Sequence, residues 1–90
     1  MQNDIIKIAE HFGINNQMSK CIEELSELIQ AISKIQIEGI TLDRYDNLIE
    51  EIVDVEIMVE QMKYLHAIDE KNIEEIKKQK IQRTIRRYRI

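Results

Sequence analysis

A chain with no proline, and with glycine only at positions 13 and 39, has few places to break a helix. Ile, Leu, Glu, Lys and Gln dominate the rest of its 90 residues, which predicts one all-α domain over residues 1–90. Charged residues make up 33% of the chain, but they recur with helical period, so a folded chain is expected rather than a disordered one.

The pattern predicts four helices: a short first one, two long ones carrying acids, and a basic last one. Residues 3–12 form the first, with Asn3 or Asp4 as cap, His11 near its end to favour the helix dipole, and Gly13 as its stop. Asn15 or Asn16 caps the second, over roughly residues 16–36, which Glu38-Gly39-Ile40 breaks. Thr41 caps the third, roughly 42–66, and Asp69 caps the last, roughly 70–88.

Both long helices carry an acidic cluster of the form E-E-x-x-[E/D]: Glu23-Glu24-Leu25-Ser26-Glu27 and Glu50-Glu51-Ile52-Val53-Asp54. At about 100° per residue, Cys21, Ile22, Leu28, Ile29 and Ile32 fall within roughly 60° of Leu25 and form an apolar stripe. Glu24 and Glu27 then lie about 100° and 160° to one side. With Ile52 as centre, Leu48, Ile49, Val55 and Val59 make the second stripe, and Glu51 and Asp54 take the same two offsets. If the stripes pack together, the four carboxylates border one shared groove.

Acids spaced a turn apart repel, by roughly 0.2–0.5 kcal/mol per pair. Lys20 is the one base within a turn of the first cluster, and none lies within a turn of Glu50, Glu51 or Asp54. An external cation is therefore the expected partner. Zinc is disfavoured because there is no Cys/His cluster. Mg²⁺ takes oxygen ligands, keeps several waters and suits carboxylates on rigid elements together with substrate phosphate; Mn²⁺ is an expected substitute.

Charge is segregated along the chain. Residues 1–70 carry 15 acids and 5 bases, and residues 71–90 carry 2 acids and 8 bases. A metal site beside a basic helix suits a polyanion such as a triphosphate. The plainer alternative is that the basic helix packs on the acidic ones. The third helix is apolar almost all round, with Val53, Ile57, Met58 and Leu65 off its stripe, so a second subunit is expected to cover it. Glu56 falls inside that stripe, an anomaly that a subunit edge would accommodate. Lone Cys21 reads as a small core residue in a reducing cytoplasm. No signal peptide or membrane-length apolar run is present.

No nucleophile sits beside a base, and there is no glycine-rich phosphate loop. Metal-activated water is then the natural attacker, with a spare carboxylate to take its proton and Lys or Arg from the last helix to bind phosphate oxygens.

The pattern Glu23-Glu24-Leu25-Ser26-Glu27, a gap over 28–50, and Glu51-Ile52-Val53-Asp54 resembles the MazG-like nucleoside triphosphate pyrophosphohydrolases of the all-α pyrophosphatase superfamily. So do the words Glu24-Leu25-Ser26-Glu27-Leu28-Ile29-Gln30-Ala31-Ile32 and Asp54-Val55-Glu56-Ile57-Met58, and the resemblance covers about residues 17–85. It implies Mg²⁺-dependent hydrolysis of a (d)NTP to (d)NMP and pyrophosphate. It also implies Glu24, Glu27, Glu51 and Asp54 as metal ligands, and Glu23 as a supporting group or the water-activating base. Lys80 and Arg83 match the family's phosphate-binding positions, although Thr84 stands where a second Arg is usual, and Glu56 replaces an apolar residue. Assembly into a homodimer or homotetramer, as an oligomeric helical bundle, is the corresponding expectation.

Two other readings compete. Phosphoribosyl-ATP pyrophosphohydrolase, of the same superfamily, usually has a Tyr-His pair soon after the Asp, where this chain has Ile57-Met58. A non-catalytic helical oligomerisation protein would use its acids as a solvated face. Nucleic-acid binding is disfavoured by the scarcity of aromatics among the bases of the last helix and by the acidic body.

Overall fold

The computed structural model describes residues 1–90 and consists of four helices: α1 (Gln2–Phe12), α2 (Ile14–Glu38), α3 (Leu42–Leu65) and α4 (Glu70–Tyr88). No strand is present, as the composition requires.

Both glycines act as helix breaks. Gly13 (φ 84°) ends α1 and starts α2, so the two helices meet at a single residue. This shortens the expected connection, and the expected caps are displaced at the starts of both helices. Asn3 and Asp4 lie inside the first turn of α1, behind Met1, and neither Asn15 nor Asn16 caps α2. Asn16 instead donates its side-chain amide to the Phe12 carbonyl at 2.8 Å, satisfying an end of α1. Gly39 (φ 89°) stops α2 two residues later than expected, at Glu38.

The hairpin between α2 and α3 is fastened by polar groups. Thr41 accepts from the Arg44 backbone N–H at 3.2 Å, the expected N-cap. The Arg44 guanidinium donates to the carbonyls of Glu38 and Gly39 and pairs with the Glu38 carboxylate at 2.8 Å. Those carbonyls belong to the end of α2, where a cation is favourable. Asp69 caps α4 by accepting from Lys71 N–H, also as expected.

α2 and α3 pack antiparallel along their length, and α1 lies across the end of the pair that holds Gln17 and Gln61. The face on which they meet takes in only part of the expected apolar stripes, Cys21 on α2 and Leu48 and Val55 on α3. On α2 the buried residues are Gln17, Cys21, Glu24 and Ala31; on α3 they are Met58 and Gln61, flanked by half-buried Leu48, Glu51, Asp54 and Val55. Ile22, Leu25, Ile29 and Ile32 of the expected stripe face outward, with Ile22 69% and Ile29 64% exposed. Ile49, Ile52 and Val59 of α3 are likewise exposed. The stripes are real, but in a single chain they lie beside the helix–helix seam. The acids and small residues occupy the seam itself. The same correction removes the anomaly of Glu56, which is exposed among outward residues.

α4 stands apart. It buries no residue, and only Ile73 is half-buried. A turn through Ala67, in the left-handed region at φ 52°, leads into it, and Lys63 ties its first turn to α3 by pairing with Glu60 at 3.1 Å and Glu70 at 3.2 Å. The basic helix therefore does not lie along the acidic ones of its own chain. Only seven of the 90 residues are buried in all, a small core for a domain of this length. No helix is long and apolar enough to cross a membrane.

Candidate metal centre

The antiparallel register of α2 and α3 brings the acids together in layers. Glu24 and Glu27 are three residues apart on α2, as are Glu51 and Asp54 on α3. One carboxylate oxygen from each of the four lies within 4.8 Å of the others. Residues three apart rise by about 4.5 Å and differ by about 60° in direction, so both carboxylates of each helix can reach one point in the seam.

Glu24 is buried, at 7% exposure, and the other three are half-buried. The Oε2 atoms of Glu24 and of Glu51 are buried with no hydrogen-bond partner. Leaving a charged acceptor in that state costs more than the roughly 1–3 kcal/mol of a neutral one. A helix pair shaped only for packing would place apolar side chains there. Oxygens that converge and lack protons to accept are what an oxygen-seeking cation requires.

The electrostatics agree. The Glu27 carboxyl is held above its ordinary range, first by the negative charge of Glu24, then by burial, and then by the charge of Glu51. Lys20 supplies the one protein cation in contact, 3.1 Å from Glu24 and 3.7 Å from Glu23. Its ammonium is held above its usual value, chiefly by the hydrogen bond to Glu24 and then by the charge of Glu23. One lysine against four carboxylates leaves the site strongly negative.

The remaining expected residues are distributed differently. Glu23 is outside the four-residue cluster, exposed beside it, and shares Lys20 with Glu24. Lys80 and Arg83 are exposed on α4, and the fold of one chain does not bring them to the carboxylates. Cys21 is buried as a free thiol in the seam, in keeping with a packing role.

Beyond the cluster, toward α1, a pocket opens, with a volume of about 540 Å³. Phe12, Gln17, Lys20, Glu23 and Gln61 help to line it. Gln17 and Gln61 are buried there, and Gln17 Nε2 donates to Gln61 Oε1 at 2.7 Å. Sequence reasoning passed over both glutamines, because a Gln in a helix normally signals a solvated face. Lys20 was legible as a base one turn before Glu24, but not as the link between pocket and cluster.

Compared with known proteins, the chain matches no family model, no curated protein and no solved structure.

Proposed function

We propose that this protein is a Mg²⁺-dependent nucleoside triphosphate pyrophosphohydrolase, cleaving a (d)NTP between its α and β phosphates. One observation carries the reading: four carboxylates from two helices converge within 4.8 Å, and two of their oxygens are buried without a partner. The doubled acidic motif resembles that of the MazG-like enzymes and supports the same reading.

In this mechanism Glu24, Glu27, Glu51 and Asp54 hold the metal. Bound Mg²⁺ supplies charge neutralisation for the triphosphate and acidifies water at the site. Glu23, exposed and adjacent, accepts the proton of the attacking water. The water oxygen bonds to phosphorus as the α–β anhydride breaks, giving monophosphate and pyrophosphate. Lys20, beside Glu24 at the edge of the cluster, would supply a cation for the phosphate oxygens.

Lys80 and Arg83 complete phosphate binding only in an assembly. The exposed stripes of α2 and α3 and the unpacked α4 support a homodimer or homotetramer, in which a second copy covers the stripes. The charge of α4 is complementary to the carboxylate seam, so its delivery to a neighbouring copy places phosphate-binding cations near a metal site.

Pyrophosphate release from a panel of dNTPs, NTPs and phosphoribosyl-ATP, with Mg²⁺ present, tests the reading. Release from at least one nucleoside triphosphate is expected, lowered at least about 100-fold by Glu24→Gln or Asp54→Asn. Turnover unchanged in both folded variants would remove the mechanism, and turnover of phosphoribosyl-ATP alone would move the assignment to that enzyme.

A further inference from the structure

We infer that the pocket between α1 and the α2–α3 pair takes the nucleobase, with the Gln17–Gln61 amide pair reading its hydrogen-bonding edge and Phe12 stacking on its face. The inference rests on the nucleotide reading above and goes further, by assigning the part of the substrate that the carboxylates do not touch.

The first ground is the amide pair. A glutamine amide has two N–H donors and one carbonyl acceptor. The single bond from Gln17 Nε2 to Gln61 Oε1 leaves the Gln17 carbonyl and the Gln61 amino group without a protein partner. Turning both amides over exchanges the roles but again leaves one acceptor and one donor free. Both residues line the pocket and are buried, Gln61 at 1% exposure, so this polar pair is held in place by packing. An adjacent donor and acceptor is what the Watson–Crick edge of a base presents. The pair is uncharged, which suits a neutral ring and not an anion.

The second ground is shape. A volume of about 540 Å³ is within the range of small-molecule sites. Ile8 and Met58 supply apolar wall, and Phe12 is 52% exposed, leaving ring surface available for a base to stack on.

The third ground is register. Gln17 precedes Glu24 by seven residues, and Gln61 follows Asp54 by seven. On both helices this is about 10 Å along the axis, room for a sugar between base and phosphates. Lys20 lies between, lining the pocket while touching Glu24. Lys20 thus joins the pocket to the carboxylate cluster.

Two measurements test this. In the first, unphosphorylated nucleosides are titrated into the whole protein while the side-chain amide resonances of Gln17 and Gln61 are followed by NMR. In the second, kcat and KM for a dNTP panel are compared in wild type, Phe12→Ala and Gln61→Leu, with Mg²⁺-dependent thermal stabilisation as the check on the metal centre. Nucleosides should shift both amides. Phe12→Ala should raise KM about 10-fold, and Gln61→Leu should flatten the preference among bases, with Mg²⁺ stabilisation retained in each. Phe12 is exposed, so that variant stays informative if Gln61→Leu does not fold. Nucleotide hydrolysis with KM and base preference unmoved by these changes overturns the pocket assignment and leaves the pyrophosphohydrolase reading intact. Amide shifts without hydrolysis uphold the pocket and overturn the reaction. Neither shifts nor hydrolysis overturns both.

Discussion

The Lys20 ammonium lies 3.1 Å from a carboxylate oxygen of Glu24, and it is the one cation of the chain in contact with the four-acid cluster. The pair joins an exposed lysine to a buried acid, with side-chain exposures of 48% and 9%. It neutralises one oxygen of Glu24 and leaves the other, Oε2, without a partner. The protein thus holds one internal counterion against a site that calls for more.

Lys20→Met should therefore lower the melting temperature of the metal-free protein, since the seam loses its only opposing charge. The increment gained on adding Mg²⁺ should grow. Thermal melts in EDTA and in Mg²⁺ read both quantities, and an identical pair of melts for variant and wild type would show that the ion pair is immaterial.

The raised pKa of Glu27 fixes the sign of a pH dependence. A carboxyl whose folded pKa exceeds its unfolded value favours the fold when protonated. That contribution is fully present below the ordinary value of 4.5 and is lost as pH rises through the folded pKa. In EDTA, Glu27→Gln should be more stable than wild type at neutral pH, and the difference should shrink as pH falls toward 4.5. Mg²⁺ binding competes with the same proton, so its affinity in wild type should weaken over the same interval. A difference independent of pH would refute the assignment.

Ile29, 64% exposed on the outward stripe of α2, tests the assembly. Burying such a side chain contributes about 1.5–3 kcal/mol. Ile29→Glu should raise the subunit dissociation constant at least about 10-fold, read by sedimentation velocity over a dilution series. If the wild-type protein is a monomer throughout that series, the oligomeric proposal fails.

Arg44 separates stability from function. Its guanidinium closes the α2–α3 turn through the Glu38 and Gly39 carbonyls and the Glu38 carboxylate, and it touches none of the four clustered acids. Arg44→Ala should cost about 1 kcal/mol in chemical denaturation, discounted for partial exposure, with kcat unchanged. A large loss of kcat would mean that the turn governs the geometry of the site.

Much of the architecture was legible because its signals are local. Two glycines in a chain without proline can only be breaks, and Thr41 and Asp69 cap because their side-chain oxygens reach backbone N–H groups two or three residues on. The acids were legible as a group because equal spacing on two helices imposes equal geometry. The expected caps at Asn15 and Asn16 failed where a single glycine joined two helices and left no room for a separate cap, and those at Asn3 and Asp4 failed because α1 begins at Gln2, with Met1 ahead of it.

What periodicity could not say was which face meets which. An apolar stripe establishes that a face needs cover, not that the neighbouring helix provides it; on α2 the seam took Gln17, Glu24 and Ala31, and of the stripe it buried Cys21. The sequence by itself determined four helices, their breaks and two matched pairs of acids, because each depends on residues within a turn or two. Only the tertiary structure decided that Glu24 and Glu27 meet Glu51 and Asp54 inside the seam, that Gln17 meets Gln61 across 44 residues of chain, and that Lys80 and Arg83 stand clear of both. Those relationships depend on the rotation of one helix about its axis against another, which is fixed by the packing of the whole and by no short stretch of it.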